Sequence, residues 1–149
     1  MKRIHLYRGK RLDNGQWVEG FYSNLYIEEK CKEQAVITCQ YFYAADMSYP
    51  YPSVNTVEAE VDPETVGQLW MQIGKLKIFE GDVFEFPKHN VRFVVKYNEK
   101  RHQFCIAHPD QLGLKYLNPW QCPDESWIEE FMKDAVLIGN IHDNKELLK

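Results

Sequence analysis

Three groups of residues in this chain have side chains that catalysis or metal binding uses. Cys105, His108 and Cys122, with His102 nearby, could supply the sulfur and nitrogen donors of a zinc site. Their spacing argues against it. Residues 102, 105 and 108 fall on a predicted strand and its flank, where positions three apart face opposite sides, and no compact ligand pair is present. The simpler reading is a buried thiol with surface histidines. Nucleophilic catalysis needs a Ser, Cys or Lys beside an activating base. Cys39, between Thr38 and Gln40 on an apolar run, reads as core, and the chain has no Gly-x-Ser-x-Gly, no His-Glu-x-x-His and no phosphate-cradling glycine loop. Glu80 with Asp82, and Glu58 with Glu60, are two apart, so each pair shares a strand face and could share a proton or hold a divalent cation. A solvated acidic strand face explains both pairs without requiring a pocket. No catalytic, cofactor-binding or metal-ligating residue is therefore assigned, and the chain is read as a non-enzyme without a cofactor. A metal-dependent enzyme built on a carboxylate pair stands behind that reading.

Binding chemistry has more material. Lys2, Arg3, Arg8, Lys10 and Arg11 cluster beside Tyr7 and Trp17, and Lys96, Lys100, Arg101 and His102 cluster beside Tyr97. Basic grooves with aromatic platforms hold single-stranded nucleic acid, although cationic hairpin ends also protect strand edges from pairing. The aromatics, 4 Trp, 9 Tyr and 8 Phe, exceed what a core of this length requires. Such residues concentrate at the centres of protein interfaces. Trp17, Tyr49, Tyr51 and Trp70 are the candidate partner contacts; the competing account packs them inside a β core.

The elements that would carry these residues are mostly strands. At 149 residues, 44% hydrophobic and 27% charged, the chain is of ordinary globular composition and long enough to bury a core without disulfide or metal. A net charge of −4 argues against a uniformly cationic surface. Four scattered cysteines suit reduced thiols. With no secretory apolar run near the start and no stretch of about 18 apolar residues, the expectation is a cytoplasmic protein that does not enter a membrane.

Asp13-Asn14-Gly15 predicts a type I′ hairpin between an alternating run at 4–8 and an extended run at 16–22, which Ser23-Asn24 interrupts. A strand is expected over 35–44, and the Tyr49-Pro50-Tyr51-Pro52 segment reads as an irregular excursion. After a strand at 57–61, Asp62-Pro63-Glu64 is a helix-start signature, with one to three turns expected through Trp70. Strands follow at 77–86 with a Gly-Asp break, at 91–97 and at 103–107. A helix is expected over 123–133 and an apolar strand over 135–141. This is a mainly β (α+β) chain, a small β-barrel or roll with an N-terminal hairpin and one or two short helices.

Three stretches, in order, resemble the YopX family of phage and prophage proteins. They are Met1-Lys2-Arg3-Ile4 with Gly15-Gln16-Trp17-Val18; Asp62-Pro63-Glu64-Thr65-Val66-Gly67-Gln68 with Ile78-Phe79-Glu80-Gly81-Asp82-Val83; and the closing run from Val136 through Gly139, Asn140 and Asp143 to Leu148. The short link 69–77, with Trp70 and Met71, departs from the longer turn common in that family. The resemblance implies an SH3-like barrel element, a phage or mobile-element origin in bacteria and oligomeric assembly, with no catalytic residues to carry over. Asp62, Gly67, Glu80, Gly81, Asp82, Gly139 and Asn140 are read as structural: Gly81 permits a tight turn and Asp82 bonds nearby backbone N–H groups.

The expectation is one domain over 1–149, divisible into an N-terminal β part, 1–61, and a barrel part, 62–149, that includes the helix at 123–133. Its function is that of a phage-derived, non-enzymatic accessory protein acting through self-association and through binding an unidentified phage or host protein. The alternative is a nucleic-acid-binding accessory factor using the two basic patches.

Overall fold

Period-two alternation governs most of the chain. The computed structural model describes residues 5–42, 54–109 and 133–148. Among them run β1 (Tyr7–Lys10), β2 (Trp17–Ile27), β3 (Lys32–Phe42), β4 (Val54–Glu60), β5 (Gly67–Ile73), β6 (Leu76–Phe79), β7 (Asp82–Phe86), β8 (Val91–Asn98), β9 (Gln103–Ala107) and β10 (Val136–Asn140). The strand orders are β4-β3-β2-β1-β5-β6 and β10-β7-β8-β9, and each sheet is built on antiparallel pairs. The chain divides into two units, Met1–Leu69 and Trp70–Lys149. The mainly β expectation holds. Both sheets are open among the described residues, so the small closed barrel does not form there. No helix among these residues is long and apolar enough to cross a membrane.

In the first unit the hairpin forms with a longer turn than Asn-Gly predicts. Lys10 faces Trp17, Arg11 N–H donates to Gln16 O at 2.9 Å, and Gly15 N–H donates back to Arg11 O at 2.9 Å. A type I′ turn would need positive φ at both Asn14 and Gly15; only Gly15 has it, at 69°. Asn14 instead accepts the Gln16 N–H on its side-chain oxygen at 2.9 Å. Ser23-Asn24 does not interrupt β2, because β3 pairs continuously from Phe21↔Thr38 to Ile27↔Lys32. Partner strand hydrogen bonds outweigh the weak local preference of Ser and Asn for turns.

The core of this unit is Ala35, Ile37, Cys39 and Val61, flanked by Tyr7, Val18, Tyr22 and Val66. Asp62 caps as expected, accepting the Glu64 N–H at 3.0 Å. The helix ends after one 3-10 turn, Pro63–Thr65, since Val66 is already extended. Gly67 and Gln68 then pair with Arg8 and Tyr7, so the stretch predicted as helix is β5.

The second unit packs Ile78, Phe84 and Val95 against Trp70, Met71, Phe104, Ala135 and Leu137. The Gly-Asp break lies where expected, between β6 and β7, with Gly81 at φ 87°. Asp82, 2% exposed, accepts the Phe79 N–H at 2.8 Å. Gly81 N–H donates to Val95 O at 2.8 Å, and Gly81 O accepts the Ile141 N–H at 2.9 Å. The turn thus ties β6, β7, β8 and the end of β10 together. Of the helix expected at 123–133 only Lys133 falls within the described residues, in helical conformation. The Tyr49-Pro50-Tyr51-Pro52 segment lies outside them.

Removing the Asp82 carboxylate leaves the Phe79 N–H buried without that acceptor. Asp82→Ala should therefore lower unfolding stability by about 1–3 kcal/mol, read as a lower urea midpoint.

Candidate functional site

Alternation along β2 sorts its side chains by face. Val18 and Tyr22 turn toward the first unit's core. Trp17, Glu19, Phe21, Ser23 and Leu25 share the other side. Register extends this face across the sheet: Lys10 lies opposite Trp17 and Arg8 opposite Glu19. Phe21, Thr38 and Glu58 form one row, and Ser23, Val36 and Glu60 the next. Phe21 is 54% exposed and Leu25 38%, unusual for large apolar side chains four residues apart on one strand face. Val36, diagonal to both across Ser23, is buried and forms the floor between them.

At one end of this row the Trp17 ring is half-buried under two cations. The Arg8 guanidinium carbon lies 4.8 Å from its centroid and the Lys10 ammonium 5.4 Å. Such contacts hold the ring flat and its cations in place. Arg11, at the hairpin turn, makes two bonds to the Asp13 carboxylate, 2.9 and 2.5 Å. That hydrogen-bonded guanidinium holds the Asp13 carboxyl below the usual carboxylate range. Lys2 and Arg3, the rest of this predicted basic cluster, lie outside the described residues.

The second basic cluster is arranged differently. Lys96 lies 3.6 Å from the Glu80 carboxylate. Alternation places it on the opposite face of β8 from Tyr97, whose ring packs edge-on against Phe104 at 5.1 Å. Lys100 and Arg101 are exposed at the β8–β9 turn, where both backbone N–H groups donate to the Asn98 side-chain oxygen at 3.1 and 3.2 Å. Phosphate-binding cations and a stacking ring do not share one face here.

Of the predicted partner contacts, Trp17 lies on the exposed β2 face, whereas Trp70 is half-buried against the second core and stacks on Phe104 at 6.2 Å. Tyr49 and Tyr51 fall outside the described residues. Sequence reasoning missed Phe21 and Leu25. Reading β2 as unbroken through Ser23-Asn24 would have aligned them with Trp17 at period two.

The carboxylate pairs do not build a shared centre. Glu80 accepts the Tyr97 N–H at 3.2 Å while Asp82 is buried on the Phe79 N–H. Glu60 is held by Lys30 at 2.7 Å. Cys105 is fully buried, its Sγ directed to Lys96 O at 3.5 Å, and Cys122 lies outside the described residues. Among the described residues no three His, Cys, Asp or Glu side chains are grouped to hold a metal. The remaining motif residues serve the backbone. Gly67 pairs with Arg8, and Gly139 sits at the register shift of β10. The Asn140 side-chain oxygen accepts the His142 and Asp143 N–H groups at 3.0 and 2.9 Å.

Gly20 sets the orientation of the β2 face. β2 pairs with β1 through Gly20 and with β3 from Phe21 onward, so the strand changes partner at this residue. An added Cβ there would lie 2.8 Å from the Thr38 carbonyl carbon, nearer still to its oxygen, and 2.9 Å from Ile37 Cγ2. Gly20→Ala should cost about 1–3 kcal/mol by overpacking and shift the amide resonances of 21–25 in an NMR spectrum.

Against known proteins, a family model described as YopX protein matches residues 6–149. No curated protein and no solved structure matches the chain.

Proposed function

The chain belongs to the YopX family, and from that premise we propose that it is a phage-type accessory protein that acts without catalysis, by self-association and macromolecular binding in the bacterial cytoplasm. The observation that carries this reading is the β2 face, where Phe21 and Leu25 stand 54% and 38% exposed beside Trp17. Burying two such side chains against a partner removes apolar area from water at about 25 cal/mol per Å². Isolated exposed hydrophobics need no explanation, but two on one strand face, in line with a half-buried Trp17, do. The SH3-like arrangement implied by the resemblance belongs to the same reading, with the four-stranded second sheet and its tight turns as its support.

A second reading, a nucleic-acid-binding accessory factor, is favoured by the placement of Arg8 and Lys10 within 4.8 and 5.4 Å of the Trp17 ring on one sheet face. Base stacking on an aromatic ring flanked by phosphate-binding cations is how single strands are held.

Sedimentation at micromolar concentration should give a multiple of the monomer mass. Phe21→Ser with Leu25→Ser should give a monomer whose circular dichroism is unchanged; a monomeric wild type would sink the self-association claim. Salt-sensitive retention on single-stranded DNA, lost in Arg8→Ala/Lys10→Ala or in Lys100→Ala/Arg101→Ala, would move the assignment to the second reading.

A further inference from the structure

A different surface of the first unit, the outer edge of β4, is built to receive a strand. Val61 N–H donates inward to Ala35 O, while Glu60 O accepts the Leu12 N–H at 3.0 Å and Asp62 N–H donates to Lys10 O at 2.9 Å, both on the side away from β3. Strand alternation then directs the N–H and C=O groups of Glu58 and Thr56 to that same outer side. The hairpin supplies only the first rung of a ladder there. After Leu12 the 11–15 turn carries the chain back to β2, and no strand among the described residues continues along β4. A depression of about 450 Å³ lies between the hairpin and the strand, lined by Arg11, Leu12, Asp13, Glu58, Ala59 and Glu60.

The side chains along this edge select what fits. Thr56, Glu58 and Glu60 project to one face and Val57, 46% exposed, to the other. The Asp13 and Glu60 carboxylates are engaged by Arg11 and Lys30, which leaves Glu58 as the exposed charge in mid-strand. We propose that the outer edge of β4 takes, as an added strand, an extended segment of a partner protein in which Lys or Arg alternates with apolar residues. The basic residues meet Glu58 across the strand pair, the apolar ones cover Val57, and the backbone groups of Thr56 and Glu58 complete the ladder. A second copy of this chain is disfavoured here. Its β4, laid antiparallel in the register centred on Glu58, would set that carboxylate opposite its own copy, and the hairpin already covers the Glu60 position.

The test uses the full chain and two synthetic peptides, one of repeated Lys-Val and one of repeated Glu-Val. The Lys-Val peptide should bind about tenfold more tightly, as expected for one opposite-charge cross-strand pair at Glu58 set against one like-charge pair there. Glu58→Lys should abolish or reverse that preference. Thr56→Pro, which deletes an outward N–H and leaves the β3-facing groups intact, should weaken binding of either peptide, whereas Thr56→Val should not. On binding, the Glu58 amide should gain protection from hydrogen exchange. If neither peptide binds, or if Lys-Val binding is unchanged by Glu58→Lys, the proposal is overturned. Should Thr56→Pro fail to fold, Glu58→Lys and the exchange measurement decide it. Phe21 and Leu25 take no part in this contact, so the Phe21→Ser/Leu25→Ser variant should retain it whatever its mass.

Discussion

The second unit depends on one turn. At Glu80-Gly81-Asp82 two carboxylates and two backbone groups tie β6, β7, β8 and the end of β10 together within three residues. Asp82 holds the end of β6, Gly81 donates to β8 and accepts from the residue after β10, and Glu80 accepts from Tyr97 further along β8. Each bond is modest in net terms, but a buried donor left unmade costs more than the bond contributes. The left-handed φ of Gly81 lets the chain reverse tightly enough to place all of them. The closing motif then has a physical partner: Asn140 pairs with Asp82 in the ladder, and its side chain clamps the turn that follows. Residues far apart in sequence that looked like separate signatures form one hydrogen-bonded junction.

In the first unit the corresponding constraint is steric. β2 is too long to pair along its whole length with one neighbour, and it changes from β1 to β3 at Gly20, where the Thr38 carbonyl leaves no room for a side chain. This change of partner separates the cation-covered end of the β2 face, at Trp17, from the apolar end at Phe21 and Leu25. Charge and apolar surface are thereby presented in sequence along one strand.

Local signals in the amino-acid sequence were legible wherever a residue's own backbone preference decided the outcome. Asp62 caps, Gly81 turns, and the runs at 91–97 and 103–107 form strands that pair with each other. The readings that failed were those a distant partner decides. Pro63-Glu64 begins a helix by every local criterion, yet Leu69 N–H is taken by Leu6 O across the sheet at 2.7 Å, and the helix stops at one turn. Ser23-Asn24 looked like a break until β3 supplied its hydrogen bonds. For the same reason the exposed row on β2 was hidden, since its period-two alignment exists only if the strand is continuous. The basic clusters were visible as composition, but only registry shows that Arg8 and Lys10 share a face with an aromatic ring while Lys96 does not.

The order β4-β3-β2-β1 also bears on how the chain reaches this state. Each of these strands pairs with its neighbour in sequence, so this part of the sheet is a succession of local loop closures, the kind that costs least chain entropy and forms fastest. The pairing of β1 with Gly67 and Gln68 is of another kind, joining segments about sixty residues apart. The meander can therefore assemble as the chain leaves the ribosome, before β5 exists to meet it. During that interval the β1 edge that β5 will cover carries Arg8 and Lys10, charges that discourage pairing with the wrong strand until the right one arrives.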